Sequence, residues 1–296
     1  MLEKLTTEKR NPDTMKLDEY SVMEIIETMN KEDLNVIAAV KRELKSIEQV
    51  IVQTVECIRK GGRLIYVGAG TSGRIGMLDA VEYPPTFGMD PSRVVGVLAG
   101  GESQMFAKEE AEDSYELGQQ RMEQLNVNEN DIVVGLAASG RTPYVIGALD
   151  YANEHKAVTA SVACNKQAVI SAHATYPVEL DNGPEVLTGS TRLKAGTSQK
   201  MVCNMISTAS MIRLGKVYQN MMVDVDVSNE KLYARWQNIV MTATGCDTSE
   251  AEKVYELSGR NAKTAICMIL MEYTKEEAEQ ALIKANGFVK DVVNRK

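Results

Sequence analysis

Five short apolar runs, separated by stretches of helical period, limit the folds open to this chain more than any other feature. They are Arg63-Leu64-Ile65-Tyr66-Val67, Val94-Val95-Gly96-Val97-Leu98, Ile132-Val133-Val134-Gly135-Leu136, Thr159-Ala160-Ser161-Val162-Ala163 and the weaker Ala174-Thr175-Tyr176-Pro177-Val178. A strand with one wet face alternates apolar and polar residues. These runs do not, so they belong to a sheet covered on both faces. Helical stretches near 103–125, 143–154 and 166–173 lie between them. Strands and helices in alternation build a doubly wound parallel sheet.

The flanks read differently. Residues 1–16 carry the turn signal Asn11-Pro12-Asp13 and form an extended arm. From Leu17 to Arg59 apolar residues recur at helical spacing (Leu34, Ile37, Ala38, Leu44, Ile47, Ile51, Val52, Val55) until Gly61-Gly62 ends the run. A long helix is expected over 195–218. Beyond Asn229 the pattern is helical throughout. Asp247-Thr248-Ser249-Glu250 and Thr274-Lys275-Glu276-Glu277 have the form of capping boxes, and Gly259 and Gly287 stand where helices would end. The expected architecture is α/β: a three-layer αβα domain with about five parallel strands over 17–240, then a small three-helix bundle over 245–296.

With 296 residues, 44% of them hydrophobic, the chain can bury one sizeable core. A net charge of -8 argues against nucleic acid, whose binders gain affinity from basic patches on phosphates. No apolar stretch approaches the roughly 20 residues that span a bilayer, and Met1-Leu2-Glu3-Lys4-Leu5 has no signal-peptide core. The expected location is the cytoplasm, with no membrane partner. Cys57, Cys164, Cys203, Cys246 and Cys267 are scattered and read as reduced, buried thiols, not as a zinc site or a disulfide framework. Neither His155 nor His173 sits in a glycine-rich loop that would make it a catalytic base.

In a parallel α/β sheet ligands bind beyond the carboxyl ends of the strands. After the first run comes Gly68-Ala69-Gly70-Thr71-Ser72-Gly73-Arg74, opening a helix. Glycines admit an anion close to the backbone, and the helix start offers unpaired N–H groups. The nominal GxGxxG alone is a weak signal. The hydroxyls of Thr71 and Ser72 suit a single phosphate, and the second strand runs into Ala99-Gly100-Gly101-Glu102 without the acidic residue that would hold a ribose. A tight turn with no ligand is the competing reading. After the third run comes Ala137-Ala138-Ser139-Gly140-Arg141-Thr142-Pro143, in which Thr142 is a good N-cap and Pro143 fits the first helical position. Capping explains those two residues but not the Ser139-Gly140-Arg141 before them. Two hydroxyl-rich helix starts on neighbouring strands point to a phosphorylated small molecule.

These loops resemble the sugar isomerase (SIS) fold. The fuller blocks Gly70–Arg74, Asp79-Ala80-Val81-Glu82-Tyr83-Pro84-Pro85-Thr86, Ala111-Glu112-Asp113-Ser114, Ala138–Tyr144, Thr188–Thr197, Met222–Val225, Asn229–Leu232 and Ala243–Cys246 are similar to those of the N-acetylmuramic acid 6-phosphate etherases. Val81 and Tyr83 depart from the smaller residues common there. The resemblance implies a lyase that removes D-lactate from the sugar and returns N-acetylglucosamine 6-phosphate, in cell-wall amino sugar recycling. It implies no metal and no organic cofactor. It implies Glu82 as proton donor to the departing lactate and Glu112 as the second acid/base residue. Gly70, Thr71, Ser72, Gly73, Ser139, Gly140, Thr142 and Lys194 would hold the phosphosugar. Arg192, Lys194 and Lys200 could meet the lactate carboxylate or the phosphate. Which glutamate takes the first proton stays open.

Judged without the resemblance, Glu112 sits in an acidic cluster with Glu109, Glu110, Asp113 and Glu116 that reads as a solvated face. Glu82 stands at a helix C-terminus, where negative charge is mildly unfavourable. Ten residues of helix between Ser72 and Glu82 amount to roughly 15 Å, too far for one sugar phosphate to bridge. Either the helix breaks early, or a homodimer shares its sites between subunits. Two other functions compete: a phosphosugar aldose–ketose isomerase, and a non-catalytic phosphosugar sensor.

Overall fold

A computed structural model describes residues 5–101, 111–225, 227 and 229–294. The helical reading of 103–110 and the cluster residues Glu109 and Glu110 lie outside them. Contacts divide the chain into two compact units, Met1–Val81 with Ser92–Ser207, and Glu82–Pro91 with Thr208–Lys296.

The first unit opens with three single turns of 3-10 helix, Thr6–Glu8, Pro12–Thr14 and Leu17–Glu19. From Leu5 onward the arm is therefore not extended. It is pinned at Thr7, Asn11 and Thr14, whose polar groups bond to Asn165, Glu32 and the Val186 carbonyl. α1 (Val22–Arg42) starts in a full capping box between Ser21 and Glu24. It breaks at Glu43, and α2 (Leu44–Arg59) follows.

Next come β1 (Leu64–Gly68), α3 (Gly70–Val81), α4 (Tyr83–Phe87, which belongs to the second unit), β2 (Val94–Leu98), α5 (Tyr115–Gln124), β3 (Ile132–Ala137), α6 (Pro143–Glu154), β4 (Val158–Ala163) and β5 (Tyr176–Glu179). All five strands are parallel, in the order β2-β1-β3-β4-β5. Four of the five apolar runs lie within a residue of their strands. The 166–173 stretch is a 3-10 helix, Val169–His173, and not an α-helix.

Successive strand residues face opposite layers. Ile65, Val67, Val133 and Ala137 pack with Tyr144, Val145, Ala148 and Leu149 of α6 in one core. Tyr66 and Leu136 point the other way, where a Cβ on Gly76 of α3 would touch both. The sheet is thus covered on both faces, as its unalternating apolar runs require. At its lower edge Asp131 accepts from both the Arg63 backbone N–H (2.9 Å) and its guanidinium (2.6 Å), which sets β3 beside β1.

α7 (Lys194–Arg213) follows and ends earlier than its apolar pattern suggests. The second unit holds the rest. β6 (Val217–Tyr218) and β7 (Met221–Met222) form a small antiparallel ladder, in place of the expected end of α7. α8 (Glu230–Thr244), α9 (Thr248–Leu257), α10 (Ala262–Met271), α11 (Lys275–Lys284) and α12 (Val289–Val293) complete it. Four helices, not three, lie beyond residue 245. α8 joins them because buried Trp236, Ile239 and Val240 share one core with Ala251, Ala265, Ile266 and Leu282. Thr274 and Glu277 make a full capping box, whereas at α9 only the Asp247 half forms. No helix of the described residues is long and apolar enough to cross a membrane.

Candidate active site

Strand register places the site. Gly68, the last residue of β1, is level with Leu98 on β2 and Leu136 on β3. The chain passes from β1 to β2 on one side and returns to β3 on the other, so a crevice opens between the loops after β1 and β3. There the first unit encloses a cavity of about 280 Å³.

Gly70, Thr71, Ser72 and Arg74 line it from the first loop. α3 starts at Gly70, so its first N–H groups have no partner within the helix and are free for an anion. The Ser72 hydroxyl, expected to grip the ligand, donates 2.8 Å to Gln199 Oε1 of α7. At Ser72 it is thus the backbone N–H, not the hydroxyl, that is left for an anion. Gly73 is not in the lining. A Cβ there would lie 2.5 Å from the Gly68 carbonyl oxygen and 2.6 Å from Leu98 Cδ1, so glycine is needed for α3 to pack on the sheet.

Ala137, Ala138, Ser139 and Thr142 line it from the second loop. Asn165 supports that loop, donating to the carbonyls of Ala138 (3.3 Å) and Ser139 (3.2 Å). Gly140 turns the chain at φ 73°, and its missing Cβ would lie 2.5 Å from Ala168 Cβ. It too shapes the loop without lining the cavity. Thr142 is the N-cap of α6, with proline in the first turn as expected, but its hydroxyl makes no cap. It donates instead to Glu112 Oε1 at 3.1 Å.

That bond reassigns Glu112. Its backbone carbonyl accepts from Tyr144 N (3.1 Å), so main chain and side chain are both held at the start of α6. Glu112 is half-buried and lines the cavity, unlike a residue of a solvated face.

Other expected residues lie elsewhere. Lys194 is 1% exposed, with Nζ 2.5 Å from Glu32 Oε2, and does not line the cavity. Its backbone N–H and that of Ala195 donate to the two oxygens of Glu185, which starts α7. Burial raises the Glu185 pKa, against the pull of those bonds. Arg192 and Lys200 are exposed, and Lys200 bonds Asn204. From the Thr188–Ser198 block, Gly189 and Thr191 reach the cavity. Glu82 is exposed, stands at the N-cap position of α4 without a side-chain cap bond, and is not in the lining. α3 runs unbroken to Val81, so the helix does not break early.

Sequence reasoning missed Glu8, a half-buried residue of the arm that also lines the cavity. Among the described lining residues there is one cation, Arg74, against two carboxylates, Glu8 and Glu112. No cluster of His, Cys, Asp and Glu able to hold a metal occurs among the described residues. The arrangement suits one chemistry: an anion held at a helix start, with a fixed carboxylate beside it to move a proton.

Family models of the glucokinase regulatory protein match in two places, its N-terminal SIS domain over residues 46–153 and its C-terminal lid domain over residues 219–258. The chain is 56% identical over 294 residues to N-acetylmuramic acid 6-phosphate etherase 2 of Enterococcus faecalis, covering 99% of each. It is 55% identical over 294 residues to N-acetylmuramic acid 6-phosphate etherase of an Exiguobacterium species, covering 99% of this chain and 100% of that one. In fold it is similar, at TM-score 0.50 and 18% identity, to a candidate phosphosugar isomerase involved in capsule formation from Bacteroides fragilis, over 71% of this chain and 96% of that one.

Proposed function

Since the chain belongs to the N-acetylmuramic acid 6-phosphate etherase family, we infer that its reaction runs by elimination and readdition of water, with Glu82 and Glu112 as the proton-transfer pair. It is a carbon–oxygen lyase that converts N-acetylmuramic acid 6-phosphate to N-acetylglucosamine 6-phosphate and D-lactate.

The ether oxygen is on carbon 3, β to the aldehyde of the open-chain sugar. The proton on carbon 2 is therefore acidic enough for a carboxylate to remove. Electrons then form the carbon 2–carbon 3 double bond, and the carbon 3–oxygen bond breaks. A carboxylic acid protonates the departing lactate oxygen. Water then adds at carbon 3: one of its protons goes to the carboxylate left after lactate was protonated, the other stays in the new hydroxyl, and the carboxyl that took the carbon 2 proton returns it there. Two placed carboxyl groups suffice for this chemistry. In this reading Glu82 protonates lactate and Glu112 is the other acid/base residue. The first turn of α3 and the Ser139–Thr142 loop hold the phosphosugar.

The observation that carries this reading is Glu112, bonded through Thr142 to the start of α6 and facing the cavity at the α3 N-terminus. The test is turnover in heavy-oxygen water. Elimination and hydration put label at carbon 3 of the product sugar and none in D-lactate. Label in lactate rejects the mechanism, and isomerisation without D-lactate release rejects the activity.

The working form in this proposal is a cytoplasmic homodimer that recycles cell-wall amino sugar, each site completed by the partner subunit. Support comes from the distance along α3 and from an exposed apolar stripe on α1. Val22, Ile26, Leu34 and Ile37 are 76%, 52%, 68% and 56% exposed and share one helix face.

A further inference from the structure

Glu8 is the least expected residue of the cavity. It ends the first 3-10 turn of the arm, and a Cβ on Gly189 would lie 3.6 Å from its Oε2. Its place does not depend on its own side chain. Thr7, 2% exposed, is clasped by Asn165, which accepts from the Thr7 N–H (3.3 Å) and donates to the Thr7 hydroxyl (3.0 Å). The same Asn165 amide holds the carbonyls of Ala138 and Ser139 in the second loop. One buried side chain thus fixes the arm to the ligand loop and delivers Glu8 to the cavity. Among the described residues, no donor pairs with the Glu8 carboxylate.

A carboxylate inside a site for a dianion is costly unless it meets something other than the phosphate. Like charges held a few ångströms apart repel strongly where water is scarce. The amino sugar offers two kinds of partner, hydroxyl O–H and acetamido N–H, and both donate. An ionised carboxylate only accepts. Thr142 already donates to Glu112, whereas Glu8 has its full accepting capacity left.

We propose that Glu8 is a sugar-recognition residue of this site, its carboxylate accepting hydrogen bonds from the hydroxyl or acetamido N–H donors of the bound amino sugar. The proposal rests on the etherase reading and adds the arm to the active site. Glu8 touches the sugar and not the phosphate, so it sets which sugar phosphate is held, not whether phosphate is held.

The test compares Glu8→Ala and Glu8→Gln with the unaltered protein, using two probes, N-acetylglucosamine 6-phosphate and inorganic phosphate. Calorimetry gives both affinities. In Glu8→Ala the sugar phosphate should bind about tenfold more weakly or worse, the scale of a lost charge-assisted hydrogen bond. Inorganic phosphate should bind as well or better, because a negative charge has left the cavity. Glu8→Gln keeps one acceptor and should fall between. In turnover the loss should appear mainly in KM. Unchanged sugar-phosphate affinity in Glu8→Ala overturns the proposal. So does parallel weakening of both probes, which would mean that the arm has only a structural role. D-lactate release by the unaltered protein is measured alongside. Its absence removes the etherase premise, whereas normal release with an unaffected Glu8→Ala removes the Glu8 assignment alone.

Discussion

At the scale of the residue, the Thr142–Glu112 bond makes the sharpest prediction. If Glu112 moves a proton in the reaction, Glu112→Gln should lower kcat by roughly 10²–10⁴, the usual worth of an acid–base group. Thr142→Val keeps shape and removes a hydroxyl that donates to that carboxylate. It should cost less, about tenfold in kcat, as expected for one lost hydrogen bond to a charged group. Steady-state D-lactate release measures both. A Glu112→Gln protein of normal kcat would return Glu112 to the status of a surface acid.

Asp79 on α3 gives a pH prediction. It accepts from Tyr66 Oη (3.0 Å), Asn204 Nδ2 (2.8 Å) and Ser207 Oγ (3.1 Å). Burial raises its pKa, and those bonds offset only part of the rise. A carboxyl whose folded pKa is raised favours the fold most below its unfolded pKa, about 3.9. That contribution is lost as pH rises through the folded value. Asp79→Asn cannot ionise, so its melting temperature should climb relative to the unaltered protein as pH goes from about 4 to 7. A flat difference would refute the raised pKa.

Residue roles were the least legible part of the sequence. Glu112 looked like one member of an acid run because the bond that singles it out spans 30 positions. Lys194 looked like a ligand because a lysine beside a Gly/Thr loop gives no sign of its partner Glu32, 162 positions away. Glu8 carried no signal, since its place depends on Asn165 clasping its neighbour.

Elements were legible where their pattern was long. The strands showed because two-sided burial demands unbroken apolar runs, and α6 because a Thr-Pro start marks its first turn. The ladder of β6 and β7 has strands of only two residues, too short for any period. α8 packs with the helices of the second unit, which its apolar spacing does not announce, because that spacing declares a buried face but not what buries it. The loops also yield a prediction. Gly140 stands at φ 73° with no room for a Cβ beside Ala168. Gly140→Ala should destabilise the protein by about 1–3 kcal/mol through backbone strain and repacking. It should also depress turnover further than the lost stability explains, because Ser139 and Thr142 flank it. Thermal melts paired with kcat/KM separate the two effects.

On the scale of the whole molecule, the question is which chains make one site. α3 runs unbroken from Gly70 to Val81, a rise of about 14 Å from Ser72 onward, with Glu82 directly after it. A cavity formed around the first turn of that helix has Glu112 in its wall and lacks Glu82. If a second copy supplies Glu82, inactive proteins should repair one another. In a dimer of Glu82→Gln with Glu112→Gln, one site combines both altered residues and the other combines two intact ones. Equal mixing with free exchange makes half of the dimers mixed, each with one working site, so about a quarter of the unaltered activity should return. The double variant Glu82→Gln/Glu112→Gln, mixed with either single variant, should restore nothing, because every site then lacks a carboxylate. Exchange is followed independently with two differently tagged copies. Confirmed mixed dimers without recovered D-lactate release would show that each subunit keeps its own pair of glutamates. The 14 Å along α3 would then have to be closed by movement within one chain.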